Sequence, residues 1–184
     1  MENNLLSGIF KQFMYYKTVG DKTISVLSFE EMNYQPNADS NSISIIVKHM
    51  VGNMLSRWTN FLNEDGEKEW RQRDQEFEAS YTTKDELLKD WEKGWSCLFD
   101  AISHLKESDM KQVIYIRNEG HTVAEAIFRQ LGHYPYHIGQ MAYIGKLIKG
   151  DQWISLSIPK GHSKSYNTDK FNKDKGTRHF TDTI

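Results

Sequence analysis

Cysteine is nearly absent: the 184 residues hold one, Cys97, which excludes an intramolecular disulfide framework and any metal centre built from several thiolates of one chain. A reducing, cytoplasmic setting is the expectation. Proline is scarce as well, three residues against twelve glycines, so few positions forbid a helix. No window approaches the roughly 20 apolar residues that a bilayer crossing needs. The start, MENNLLSGIFKQF, has no basic segment ahead of an apolar run. No membrane partner is expected. Neither sign of charge dominates, since 23 Lys plus Arg against 25 Asp plus Glu leaves a formal charge of −2 and no whole-chain basicity to draw nucleic acid. The length suits one compact core.

What is present is helical periodicity. Leu6, Ile9, Phe10, Phe13, Gly20, Ile24 and Leu27 recur every three or four residues, which predicts a first helix over 5–27. MNYQPNADSNS then gathers turn formers around Pro36. Ile43, Ile46, Val47, Met50, Met54, Trp58, Phe61 and Leu62 share a side of a second helix, with Ser40 or Ser42 as its cap and an end near 63–66. The polar connection that follows is expected to be a long ordered loop pinned by Trp70, Phe77 and Tyr81, whose rings lose transfer free energy when exposed.

Thr83 and Glu86 have capping-box spacing ahead of Leu87, Leu88, Trp91, Trp95, Leu98, Phe99, Ile102 and Leu105, a third amphipathic helix. Residues 112–117 alternate like a short accessory strand. Thr122 and Glu125 repeat the cap before Val123, Ala126, Ile127, Gln130, Tyr134, Met141, Ile144 and Ile148 of a fourth helix. The pattern predicts an all-α four-helix bundle over 1–156, followed by a polar C-terminal extension over 157–184. Trp153, Ile154, Leu156 and Ile158 are the expected docking points of the segment beyond Gly150.

The chemically sharp segment is His133-Tyr-Pro-Tyr-His137-Ile-Gly-Gln140, whose i,i+4 histidines leave one helical side, in the stripe expected to face the bundle interior. His49 lies beside the core stripe of the second helix and can come opposite the pair. Three neutral imidazoles suit Zn²⁺ foremost, with Ni²⁺, Co²⁺ or Fe²⁺ also compatible, and leave a position for water or substrate. The competing reading is three ordinary, hydrogen-bonded core histidines. Pro135 removes one backbone donor between the two ligands and is expected to loosen or kink that turn. Gln140 can orient a neighbour through its amide. Glu125, eight residues before His133, is read as a cap. Arg57, Lys48 and Arg129 are candidates for holding a carboxylated ligand, and Cys97 reads as a packed residue rather than a nucleophile.

With Ser44-Ile-Ile-Val-Lys-His49-Met on the second helix and His133-x-x-x-His137-x-Gly139-Gln140 on the fourth, the chain resembles the DinB/YfiT-like superfamily of metalloenzymes. Within it, the likeness is to a bacillal branch described by a domain of unknown function. It covers about residues 1–150. The resemblance implies a bundle of up-down-down-up connection, frequent dimerisation, and a divalent metal held by His49, His133 and His137. It also implies relatedness to bacillithiol transferases, and so a metal-dependent S-transferase that joins a small thiol to an electrophile. Metal-dependent hydrolysis and a noncatalytic metal-binding dimeric module are the alternatives. Ser56-Arg57-Trp58-Thr59-Asn60-Phe61-Leu62, Asp65-Gly66-Glu67-Lys68 and Trp70-Arg71 are particular to the branch and have no assigned role.

Overall fold

The computed structural model describes residues 5–183. Residues 1–4 of the expected bundle and residue 184 of the expected extension lie outside the described residues. In chain order the elements are α1 (Leu5–Ser25), a one-turn α2 (Phe29–Met32), α3 (Ile43–Trp58), α4 (Lys84–Ser103), β1 (Val113–Ile116), β2 (Glu119–Thr122), α5 (Val123–Lys149) and α6 (Ser163–Phe171). Among the described residues the protein is mostly helical, with one two-stranded antiparallel sheet. α1 packs on α5 and α4, and α3 on α4 and α5, around one core that includes Phe13, Met50, Met54, Trp91, Trp95, Tyr134 and Met141.

The starts of the long helices follow the sequence. Ser42 accepts a hydrogen bond from the Ile45 amide and begins α3. Thr83 accepts from the Glu86 amide, while the Glu86 carboxylate reaches back to the Thr82 amide. Thr122 and Glu125 form a complete capping box at α5, which stays helical through Pro135. The two histidines flanking that proline therefore keep their one-turn spacing.

Four expectations need correction. The second helix ends at Trp58: Thr59 turns extended and Asn60 adopts φ 48°. Phe61 nevertheless stays buried and packs on Trp58 from the turn, which is why the apolar spacing ran on past the helix. Trp70 does not pin the long loop. Its ring is 56% exposed, and the flanking Lys68 and Arg71 take the inward positions. The strand over 113–116 has a partner the sequence reading did not supply, β2, joined through Arg117 and Asn118. Their φ values of 57° and 60° suit a primed hairpin turn, and Asp65 steadies it by accepting from both amides at 2.8 Å. Beyond Gly150, Trp153 lies against Gly145, but Ile154 is 76% exposed and docks on nothing in the core. The tail contains α6 and returns to α1, where Asp182 meets Lys11 and Phe180 packs edge-on to Tyr15.

α3 is buried on almost every side, because residues 59–83 fold back across it and seat the 3₁₀ turn Asp74–Phe77 against it. This covering, made of charged residues, matters for the site.

Candidate metal centre

α3 and α5 cross at a polar contact within the core. The Tyr134 hydroxyl accepts from Trp58 Nε1 and donates to Asn53 Oδ1, both at 3.0 Å. That pair of bonds fixes the axial register of the two helices. His49, one turn before Asn53, then stands opposite His133, the neighbour of Tyr134.

His49 Nε2 lies 3.3 Å from His133 Nε2, which lies 3.1 Å from His137 Nε2. The ligand atoms of all three residues fall within 4.8 Å of one another. Two imidazole nitrogens bound tetrahedrally to Zn²⁺ at about 2.0–2.1 Å stand roughly 3.3–3.4 Å apart, so this spacing fits a shared ion. His49 is buried and His133 is partly exposed, with His137 at the margin between the two.

The opposite ring nitrogens carry the stronger argument. Nδ1 of His49 faces Glu76 Oε2 at 2.9 Å, that of His133 faces Gln130 Oε1 at 3.1 Å, and that of His137 faces Gln140 Oε1 at 2.8 Å. Each oxygen accepts the Nδ1 hydrogen, which leaves Nε2 with a lone pair. Three lone pairs directed at one point repel unless a cation lies between them. Burial and the neighbouring His137 and His49 push the His133 pKa down to about 3, and burial lowers that of His137. Both rings are therefore neutral at pH 7, the form that ligates.

Behind His49 runs a line of charges that starts buried, at Glu76 and Arg71, and ends half-buried at Glu67. Arg71 grips Glu76 with Nε to Oε1 at 2.7 Å and a second guanidinium nitrogen to Oε2 at 2.9 Å. It also meets Glu67, which pairs with Arg57 at 2.9 Å and with Arg117 of the hairpin turn at 3.2 Å. Burial would raise the Glu76 pKa, but the hydrogen bonds and charges of Arg71 and His49 hold it below the ordinary carboxylate range. Phe77 stacks on the His49 ring at 4.8 Å and walls it from solvent.

The structure brings together all three sequence-chosen histidines, and it gives Gln140 the orienting role proposed for its amide. Glu125 stays in its cap. The three candidate anion-binding cations do not converge on the site: Arg57 is spent on Glu67 and the Gly66 carbonyl, Lys48 donates to the Glu78 carbonyl, and Arg129 is exposed. Cys97 is partly buried beside Thr59. Sequence reasoning missed Glu76 and Arg71. The available signal was a long loop of alternating acids and bases interrupted by Phe77 and Tyr81, a composition that suggests a covering layer rather than a solvated linker.

Comparison with curated proteins gives no match. A family model described as a protein of unknown function, DUF1572, matches residues 1–162, and so takes in all three histidines, the covering loop and the hairpin. The chain belongs to the DUF1572 family.

Proposed function

We propose that the chain is a divalent-metal protein with a DinB-like four-helix bundle of up-down-down-up connection over 1–156 and an appended 157–184 extension. In this reading His49, His133 and His137 hold the ion and the protein transfers a small thiol to an electrophile. The single observation that carries the metal reading is the orientation of the rings: three Nδ1 atoms tied to oxygens, three Nε2 atoms turned on one another. Zn²⁺ suits this donor set first, and Ni²⁺, Co²⁺ or Fe²⁺ are compatible with it.

When bound, such an ion lowers the pKa of a thiol that reaches it. The chain's own residues do the rest. Glu76, Gln130 and Gln140 hold the rings in one tautomer, Phe77 shields the inner wall, and the partly exposed His133 gives the side from which a ligand would approach. The thiol proton leaves to solvent, the sulfur pair forms the new bond to carbon, and the leaving group departs with its own pair.

Hydrolysis has less support, because Glu76, the carboxylate in contact with the cluster, has both oxygens engaged by Arg71 and His49 and is a poor general base. A homodimer is part of the reading. Its support is the outward side of α5, where Phe128, Tyr136, Tyr143 and Leu147 are each at least 55% exposed on a helix face expected to be polar.

The test is elemental analysis of the purified protein joined to a turnover assay. One divalent ion per chain is expected, lost in His49→Ala, His133→Ala and His137→Ala. The loaded protein should accelerate reaction of bacillithiol with an electrophile panel of alkyl halides and epoxides. Absence of metal sinks the whole reading. Metal without thiol turnover, while a known transferase works in parallel, leaves the noncatalytic module in its place.

A further inference from the structure

The support given to the three rings is unequal. His133 and His137 each lean on a neutral glutamine amide from their own helix, three residues away in sequence. His49 alone leans on a carboxylate, and that carboxylate comes from a loop 27 positions on. A local helix partner would have sufficed to satisfy Nδ1, so the distant acid needs a reason.

Several features hold Glu76 in this place. The Arg71 fork binds both of its oxygens, a geometry that fixes the plane of the carboxylate as well as its position. Gly52, one turn beyond His49 on α3, clears the space: a Cβ there would overlap Glu76 Oε1 and press on its Cδ at 2.7 Å. Phe77, the next residue, lies flat on the His49 ring, so the turn that delivers the carboxylate also immobilises the imidazole. Glu76 is 6% exposed and Arg71 9%, and so water does not compete for these bonds.

We propose that Glu76 is a positioning residue for His49: clamped by Arg71 and admitted by Gly52, it holds the ring as the Nδ1–H tautomer and makes His49 the most electron-rich of the three ligands. This rests on the metal reading above only for its consequence in affinity. The tautomer itself is a property of the metal-free chain. A carboxylate behind a ligating imidazole raises its basicity, and loss of such a partner typically costs 10–100-fold in metal affinity. The neutral amides behind the other two rings form weaker bonds, so their removal costs less.

The experiment combines long-range ¹H–¹⁵N correlation of the histidine rings in the metal-free protein with Zn²⁺ affinity measured against a competing chelator. Wild-type His49 is expected as the Nδ1–H tautomer. Glu76→Gln and Gly52→Ala should each weaken Zn²⁺ binding about 10–100-fold, and Gln140→Ala by less than either. Because removal of Glu76 alone strands Arg71, the paired variant Arg71→Met/Glu76→Met, which removes both charges, is the folded control, checked by circular dichroism. It should bind Zn²⁺ at least as weakly as Glu76→Gln, whose amide oxygen still accepts from Nδ1, and show Nε2–H at His49. A His49 that is mainly Nε2–H in wild type, or a paired variant that is folded and binds Zn²⁺ within twofold of wild type, overturns the inference. Wild type that takes up no Zn²⁺ yet keeps Nδ1–H at His49, with that tautomer lost in the paired variant, overturns the metal reading and leaves the positioning role standing.

Discussion

Tyr134→Phe tests whether the α3–α5 register is set by hydrogen bonding. The substitution removes one oxygen from a site that is 0% exposed and changes little else in shape. Trp58 Nε1 loses its acceptor and Asn53 Oδ1 its donor, and these residues are only 3% and 6% exposed, so water does not replace what is lost. Each of the two stranded groups costs about 1–3 kcal/mol, which places the total at roughly 2–6 kcal/mol. For a chain of this length each kcal/mol lowers Tm by about 2–4 °C, so a fall of about 4–24 °C follows. Urea unfolding should show a lower midpoint at unchanged slope. Asn53→Ala in the Tyr134→Phe background should cost less than in wild type, because the two residues share one bond; a coupling of about 0.5–3 kcal/mol is expected. A loss below about 0.5 kcal/mol with additive double-variant behaviour would mean that the helices are held in register by apolar packing alone, and the reasoning that places His49 opposite His133 through this bridge would fail.

On α1, Gly20→Ala would set a methyl 2.7 Å from Trp91 Cζ2 and 2.9 Å from Ile138 Cδ1, and overpacking of this kind costs about 1–3 kcal/mol, read as a lower urea midpoint. At the start of α5, the hydrogen bonds from the Thr122 amide and hydroxyl hold the Glu125 pKa below its ordinary value. A lowered folded-state pKa gives stability that is full above the unfolded value near 4.5 and is lost as pH falls through the folded one, so Glu125→Gln should flatten the acid limb of a stability-versus-pH curve while leaving the neutral-to-alkaline limb unchanged in shape. Asp65→Ala frees the amides of Glu67, Arg117 and Asn118, and hydrogen exchange should speed up at those three positions well before it does in α5.

The parts legible in the sequence are those whose signal is local. Helix starts at Ser42, Thr83 and Thr122 are written within four residues of themselves, and the one-turn spacing of His133 and His137 survives Pro135 because a proline removes one donor without abolishing helical φ. His49 was found because it sits beside an apolar stripe with few polar members. The hairpin partner was missed because Glu-Gly-His-Thr has neither alternation nor β-branched bulk over most of its length, and its pairing rests on Asp65, 53 positions from the Asn118 amide. Trp70 was misplaced for a related reason. Ring size argues for burial, but burying Arg71 on Glu76 and Lys68 at the Asp65 carbonyl turns the intervening tryptophan outward.

The covering loop also explains why α3 lacks the two-faced pattern of a surface helix. Its core face carries Met50 and Met54, while Ser56, Arg57 and the small Gly52 lie against residues 66–76. With Arg57 of α3 they form an alternating series of charges, Arg57, the half-buried Glu67, Arg71 and Glu76. As a source of stability such a series is poor, because desolvating each ion offsets most of the attraction, and well-packed apolar residues in the same places usually do as well or better. What apolar residues do not supply is direction. A methionine at 76 fills space beside His49 without selecting one ring nitrogen for the proton, whereas a carboxylate fixed by a guanidinium fork does so, and the next acid in the series fixes that fork in turn. The hairpin enters the same chain of contacts through Arg117 on Glu67. Residues that look like surface charges in the sequence thus form the structure behind one imidazole, and the site extends from the three histidines outward to the turn of the sheet.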